Sequence, residues 1–134
     1  MSDDLYGAAI KELAAREPAV LDGADASVTL DNPLCGDRVS LDVALEGGRV
    51  TASGHRVKGC LLCKAAAALA EERAVGLEAD DAARLLDQVS GMLKTGADPA
   101  FPALAVFLPV RPHKSRHACV LLPFKALVKA TKGG

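Results

Sequence analysis

"RVSLDVALEGGRVTASGHRV", residues 38–57, alternates apolar and polar side chains on either side of a Gly-Gly pair. Successive side chains of a strand point to opposite sides, so Val39, Leu41, Val43 and Leu45 share one face. Gly47-Gly48 supplies the backbone freedom that a two-residue hairpin turn needs. The stretch therefore predicts two antiparallel strands, 38–45 and 49–57. "ASVTL" at 26–30 has the same character and predicts a third, so the simplest arrangement is an antiparallel meander.

Outward from this sheet the pattern turns helical. Ser2 to Arg16 places Leu5, Ala9, Ile10 and Leu13 at helical spacing, with Asp3 and Asp4 suited to a helix N-terminus. Downstream, Leu61 to about Val75 precedes a terminating Gly76. Asp80 to Lys94 carries Ala82, Leu85, Leu86, Val89, Met92 and Leu93 on one stripe. A Pro-punctuated connection with one short helix follows. "CVLLPFKALVKATK" is a final helix, predicted to start near residue 120, because Pro123 has no N–H for the carbonyl of Cys119. The class is α+β: one domain, 1–134, a three-stranded antiparallel sheet with helices packed on it.

Composition narrows the function classes. The chain has 134 residues, half of them hydrophobic, yet only three Phe, one Tyr and no Trp, so the core is built from Leu, Val and Ala. Sixteen basic and seventeen acidic residues leave a formal charge of -1, which calls for neither nucleic acid nor an anionic membrane. The longest apolar runs fall well short of the roughly 20 residues of a membrane span. The acidic, amphipathic start does not read as a secretory signal, and the expected location is the cytoplasm. Four cysteines in such a chain suit metal binding or reactivity better than a disulfide frame.

Three of the cysteines fall at element boundaries. Cys35 lies in "DNPLCGDRV", between the first two strands, and Asp37 projects from the same face two residues on. Cys60 stands where the third strand gives way to a helix, whose N–H groups and dipole favour a thiolate. Cys119 sits at the entrance of the last helix. Together with Asp37 they make a four-ligand set for zinc or an iron–sulfur cluster, and a single carboxylate makes that set more exchangeable than four thiolates. Taken singly, each cysteine reads equally well as a small buried hydrophobe and Asp37 as a turn residue. The C-x-x-C of Cys60 and Cys63 also raises a thioredoxin-type dithiol. It lacks Trp and Pro between or beside the cysteines, and the chain has no alternating βαβ pattern. A zinc deaminase is set aside because His55 is not followed by the H-x-E glutamate.

"LCGDRV", the "GC" at 59–60 before a small-residue helix, and "SRHACVLLPFKAL" together resemble the iron–sulfur cluster assembly scaffolds of the IscU, SufU and NifU N-terminal family. The resemblance runs from "DLYGAAIKEL" to the last helix. It implies a compact α+β fold with a three-stranded antiparallel sheet. It also implies Cys35, Asp37, Cys60 and Cys119 as ligands of a cluster, expected to be [2Fe-2S], or of zinc. Cys119 is the implied acceptor of persulfide sulfur from a cysteine desulfurase, and apo iron–sulfur proteins are the recipients. The long stretch between Cys60 and Cys119, with Arg116 before the latter, resembles the SufU branch. That branch implies the alternative of a zinc-dependent sulfurtransferase that activates its desulfurase; otherwise the chain is a scaffold and not an enzyme. A purely structural zinc domain is the third reading.

Two features depart from the family pattern. Ala118 stands where IscU-type proteins place a His, and His117 reaches the site only if its segment is extended. Cys63 takes a position that is small or hydroxylated in the family. On a helix it is nearly one turn from Cys60, and its alanine-rich surroundings suit packing. The expected neighbours of the ligand set are thus His117, Arg116 and Cys63, with Cys63 read as core.

Overall fold

The computed structural model describes residues 7–17, 19, 21–33 and 36–133. The expectations for Asp3, Asp4 and Leu5, and for Cys35 as a ligand, lie outside these residues. Three strands, β1 (Ala26–Asn32), β2 (Asp37–Glu46) and β3 (Arg49–Lys58), form one antiparallel sheet in the order β1-β2-β3. Glu46 pairs with Arg49 across the Gly47-Gly48 turn, whose φ angles of 59° and 83° are open to glycine at no steric cost. The register shifts by one residue between Ala44 and Leu45.

One face of the sheet is apolar. Val39, Leu41 and Val43 are wholly buried, and Val28, from β1, joins them. This face is covered by α2 (Leu61–Ala74) and α4 (His117–Thr131). Helix α2 is buried on nearly every side because six of its residues are alanine, which lets the neighbouring backbones approach closely. Val75, predicted as its last residue, is already extended; Gly76 N–H donates to the Val50 carbonyl and Val50 N–H to that of Leu77, which ties the helix end to β3. A part-buried hydrogen bond between His55 Nδ1 and Glu71 Oε1, 2.7 Å long, joins β3 to α2 farther along.

The remaining helices flank this pair. Helix α1 (Ala8–Ala14) lies on α2 through Ile10 and Leu13 and stops two residues before the predicted Arg16. Helix α3 (Ala79–Lys94) is closed at its start by a capping box of Glu78 and Asp81 and buries its stripe against α4. A 3-10 segment, Pro102–Val110, inserts Leu104 and Phe107 into the core, and a short one, Lys114–Arg116, leads into α4.

Helix α4 corrects the sequence expectation. It begins at His117, three residues earlier than Pro123 suggested, so Cys119 is in its first turn and not before it. Pro123 withholds one N–H, from the carbonyl of Cys119, while the helix bonds of residues 117 and 118 are untouched. The loss of one bond is outweighed by burying His117, Cys119 and the run from Val120 to Phe124.

Candidate metal centre

The site lies at the end of the sheet where β1 stops, β2 starts and β3 stops. Asn32 pairs with Asp37, and Gly36, at φ 74°, gives its N–H to the Asn32 carbonyl at 2.8 Å. Arg38 pairs with Lys58, so one step beyond the ladder Asp37 lies alongside Gly59. There the chain leaves β3 and Cys60 becomes the N-cap residue of α2.

Asp37 is 2% exposed. Its Oδ1 accepts the backbone N–H of Cys60 at 3.0 Å, and its Oδ2 stands 3.8 Å from Cys60 Sγ. A carboxylate at the entrance of a helix is favoured by the helix dipole, and a hydrogen bond to a charged acceptor contributes more than a neutral one. The bond also fixes which oxygen faces the thiol. The close approach depends on Gly59: a Cβ there would lie 2.3 Å from Asp37 Oδ1 and 2.8 Å from its Cγ.

Cys119 completes the arrangement from α4. One ligand atom each from Asp37, Cys60 and Cys119 lies within 4.8 Å of the others, with Cys119 buried and Cys60 half-buried. Two sulfurs and a carboxylate oxygen are a donor set for zinc or iron. A tetrahedral ion with bonds of roughly 2.3 Å to sulfur holds its ligand atoms about 3.7 Å apart. The three donors are thus close to coordinating distance, and small side-chain movements suffice to close on an ion.

The other sequence candidates fall elsewhere. His117 is helical and not extended, so it does not share a face with Cys119. Its buried ring bonds the carbonyls of Val110 and Arg111 through Nε2, at 3.2 and 2.9 Å. Both partners are acceptors, so Nε2 carries the proton and the ring braces the loop before α4. Arg116 is the N-cap residue of α4 and half-buried. Cys63 is wholly buried in the core cluster and, among the described residues, does not join the group of Asp37, Cys60 and Cys119. Cys63→Ser should therefore lower stability by about 1–3 kcal/mol, because a hydroxyl is costlier to bury than a thiol, while metal stoichiometry stays at the parent value. Denaturant unfolding and metal analysis check the pair, and a loss of metal would make Cys63 a ligand. The role of Gly59 was missed: its only local signal is a glycine directly before a cysteine at a strand end.

Residues 14–99 match the family model of the NifU-like N terminal domain. A curated protein of Streptococcus pyogenes serotype M1, the iron–sulfur cluster assembly scaffold protein IscU, is 30% identical over 115 residues, covering 84% of this chain and 72% of that protein. Among solved structures, the N-terminal part of a NifU-like protein from Brucella abortus superposes with a TM-score of 0.86 at 31% identity, over 98% of this chain and 94% of that one. FiSufU of Fervidobacterium islandicum AW-1, described as a scaffold protein for the SUF system, gives 0.87 over 98% and 99%, at 21% identity, a likeness of fold.

Proposed function

The chain belongs to the NifU-like N-terminal domain family, that of the iron–sulfur cluster assembly scaffolds, and on that premise we propose that it builds a cluster on Cys35, Asp37, Cys60 and Cys119 and hands it to a recipient protein. The observation that carries this reading is the convergence of Asp37, Cys60 and Cys119 from three separate elements at one end of the sheet. No helix among the described residues is long and apolar enough to cross a membrane.

In this reading a cysteine desulfurase delivers sulfur. The Cys119 thiolate attacks the outer sulfur of the donor's persulfide; a new S–S bond forms on Cys119 and the donor cysteine leaves as a thiolate. That transfer is redox-neutral, and releasing the sulfur as sulfide takes two electrons from an external reductant. Cys119 is 0% exposed, so its sulfur must be uncovered for the donor persulfide to reach it. Asp37 gives the site one oxygen ligand among sulfurs, and an oxygen ligand exchanges more readily, which suits a site that must release what it holds.

A zinc-dependent sulfurtransferase is the second reading. The same mixed donor set favours it, since thiolates with one carboxylate hold zinc as well as iron. Metal content and visible absorption, before and after anaerobic reconstitution with iron, sulfide and reductant, separate the two. A new visible chromophore is expected for the scaffold. Stoichiometric zinc that persists without any chromophore would select the sulfurtransferase.

Asp37→Ala should lengthen the lifetime of a reconstituted cluster by several-fold, followed as the decay of its visible absorbance in the presence of chelator. The same change leaves the Cys60 N–H without its acceptor and should cost about 1–3 kcal/mol of stability. Asp37→Asn keeps an acceptor for that N–H while removing the charge, so it should extend the lifetime without most of that cost. Equal decay in parent and both variants would remove the releasing role of the carboxylate.

A further inference from the structure

Along α4 runs a groove of about 480 Å³ between α4, the end of α3 and the segment around Arg111. Its floor is apolar: Ala118 and Leu121 on α4, and Leu93 on α3. Its rim is cationic, with Lys94, Lys114 and Lys125 all exposed. No acidic side chain lines it, and none of the three lysines makes an ion pair among the described residues.

The walls are fixed by hydrogen bonds. The Arg111 guanidinium donates to the carbonyl of Met92 at 2.7 Å and to that of Ala97, closing the C-terminal end of α3. His117 holds the opposite side through the carbonyls of Val110 and Arg111. The negative end of the α3 dipole accounts for Arg111 and Lys94. It does not account for Lys114, in the 3-10 turn, or Lys125, in the middle of α4. Like charges gathered round one depression repel, and no acidic residue in the groove's lining offsets them.

We infer that this groove is a docking site for an acidic segment of a partner protein, anchored by one aliphatic side chain on the Leu93–Ala118–Leu121 floor. Charge complementarity selects the partner: three ammonium groups without an ion pair among the described residues attract carboxylates, and the floor between them is apolar. The docked segment would sit next to the metal centre. Ala118 and Cys119 are consecutive on α4, about 100° apart round the helix, so the partner is held beside the site without covering its sulfur atoms. The inference stands whether the centre carries a cluster or zinc.

The test is an amide-resolved NMR titration of the full chain with a capped pentapeptide, one leucine flanked by two acidic residues on each side. Shifts confined to the residues around Leu93, Ala118 and Leu121 are expected. The triple variant K94E/K114E/K125E changes only exposed side chains, so its spectrum should otherwise match the parent; it should weaken binding at least tenfold. Replacing the peptide's leucine with serine should weaken it at least threefold, a readout that a merely electrostatic surface would not give. Shifts scattered over the molecule, or equal affinity for the leucine and serine peptides, would overturn the proposal. So would movement of the same amides with protein concentration alone, which would assign the face to a second copy. Metal loading of the triple variant, expected at the parent level, keeps this result separate from the function of the centre.

Discussion

Gly59→Ala should cost roughly 2–4 kcal/mol of unfolding free energy and most of the metal-binding capacity of the purified protein. The added methyl would sit 2.3 Å from Asp37 Oδ1, 2.8 Å from its Cγ and 3.1 Å from its Cβ, so a shift of one side chain's tip cannot relieve it. Asp37 is 2% exposed and cannot swing into solvent without opening the end of the sheet. Its displacement breaks the bond to the Cys60 N–H, a hydrogen bond to a charged acceptor in a buried place. Metal binding and stability should therefore fall together. Gly76→Ala is the control: its Cβ would meet nothing within 4 Å, but φ is +92°. Backbone strain alone should cost about 1 kcal/mol there, with metal content unchanged. Denaturant midpoints and elemental analysis of both variants decide it. A Gly59→Ala protein with parental stability and full metal would mean that Asp37 is not held against this turn.

The contrast between those two glycines shows what could be read from the chain beforehand. A glycine that closes a helix is visible locally, because the periodicity ends where it stands. The requirement at Gly59 comes from a partner 22 positions earlier, brought alongside by the β2–β3 register, and no local pattern encodes that. The meander itself was legible, since alternation along 38–57 and the Gly47-Gly48 turn specify which residues face the core and where the chain reverses. The boundary of α4 was misjudged because Pro123 was weighed alone. Its missing bond is local, whereas the burial that keeps His117 to Cys119 helical comes from the 3-10 segment and the sheet. The same error sent His117 toward the centre; in a helix, residues two apart point to well-separated directions. The basic groove escaped notice because Lys94, Lys114 and Lys125 belong to three different elements.

Cys119→Ser and Cys60→Ser should each weaken metal binding by about a hundredfold or more, on the order of 3 kcal/mol per thiolate when structural zinc is worth roughly 10–16 kcal/mol over its full ligand set. The two sites should differ in what else changes. Cys60 is half-buried at a helix N-cap position, where serine is itself a favoured residue, so Cys60→Ser should unfold close to the parent. Cys119 is wholly enclosed by the core, and a hydroxyl there should cost about 1–3 kcal/mol in the metal-free protein. The pair thus separates the three functional readings. For a scaffold, both variants lose the reconstituted chromophore yet remain folded. For a zinc-dependent sulfurtransferase, both lose zinc, and Cys119→Ser alone abolishes uptake of radiolabelled persulfide sulfur. For a structural zinc domain, metal loss and unfolding coincide in both, and neither parent thiol takes up sulfur. The core argues against that last outcome. Val39, Leu41, Leu62, Leu69, Phe107, Phe124 and Leu127 are buried at or below 1% exposure. A sheet and helices closed over side chains of that size, in a chain of 134 residues, bury enough apolar surface to fold without an ion. The metal-free chain should therefore unfold cooperatively above room temperature. An apo protein that shows no cooperative transition would place the metal among the elements of the fold and not among its cargo.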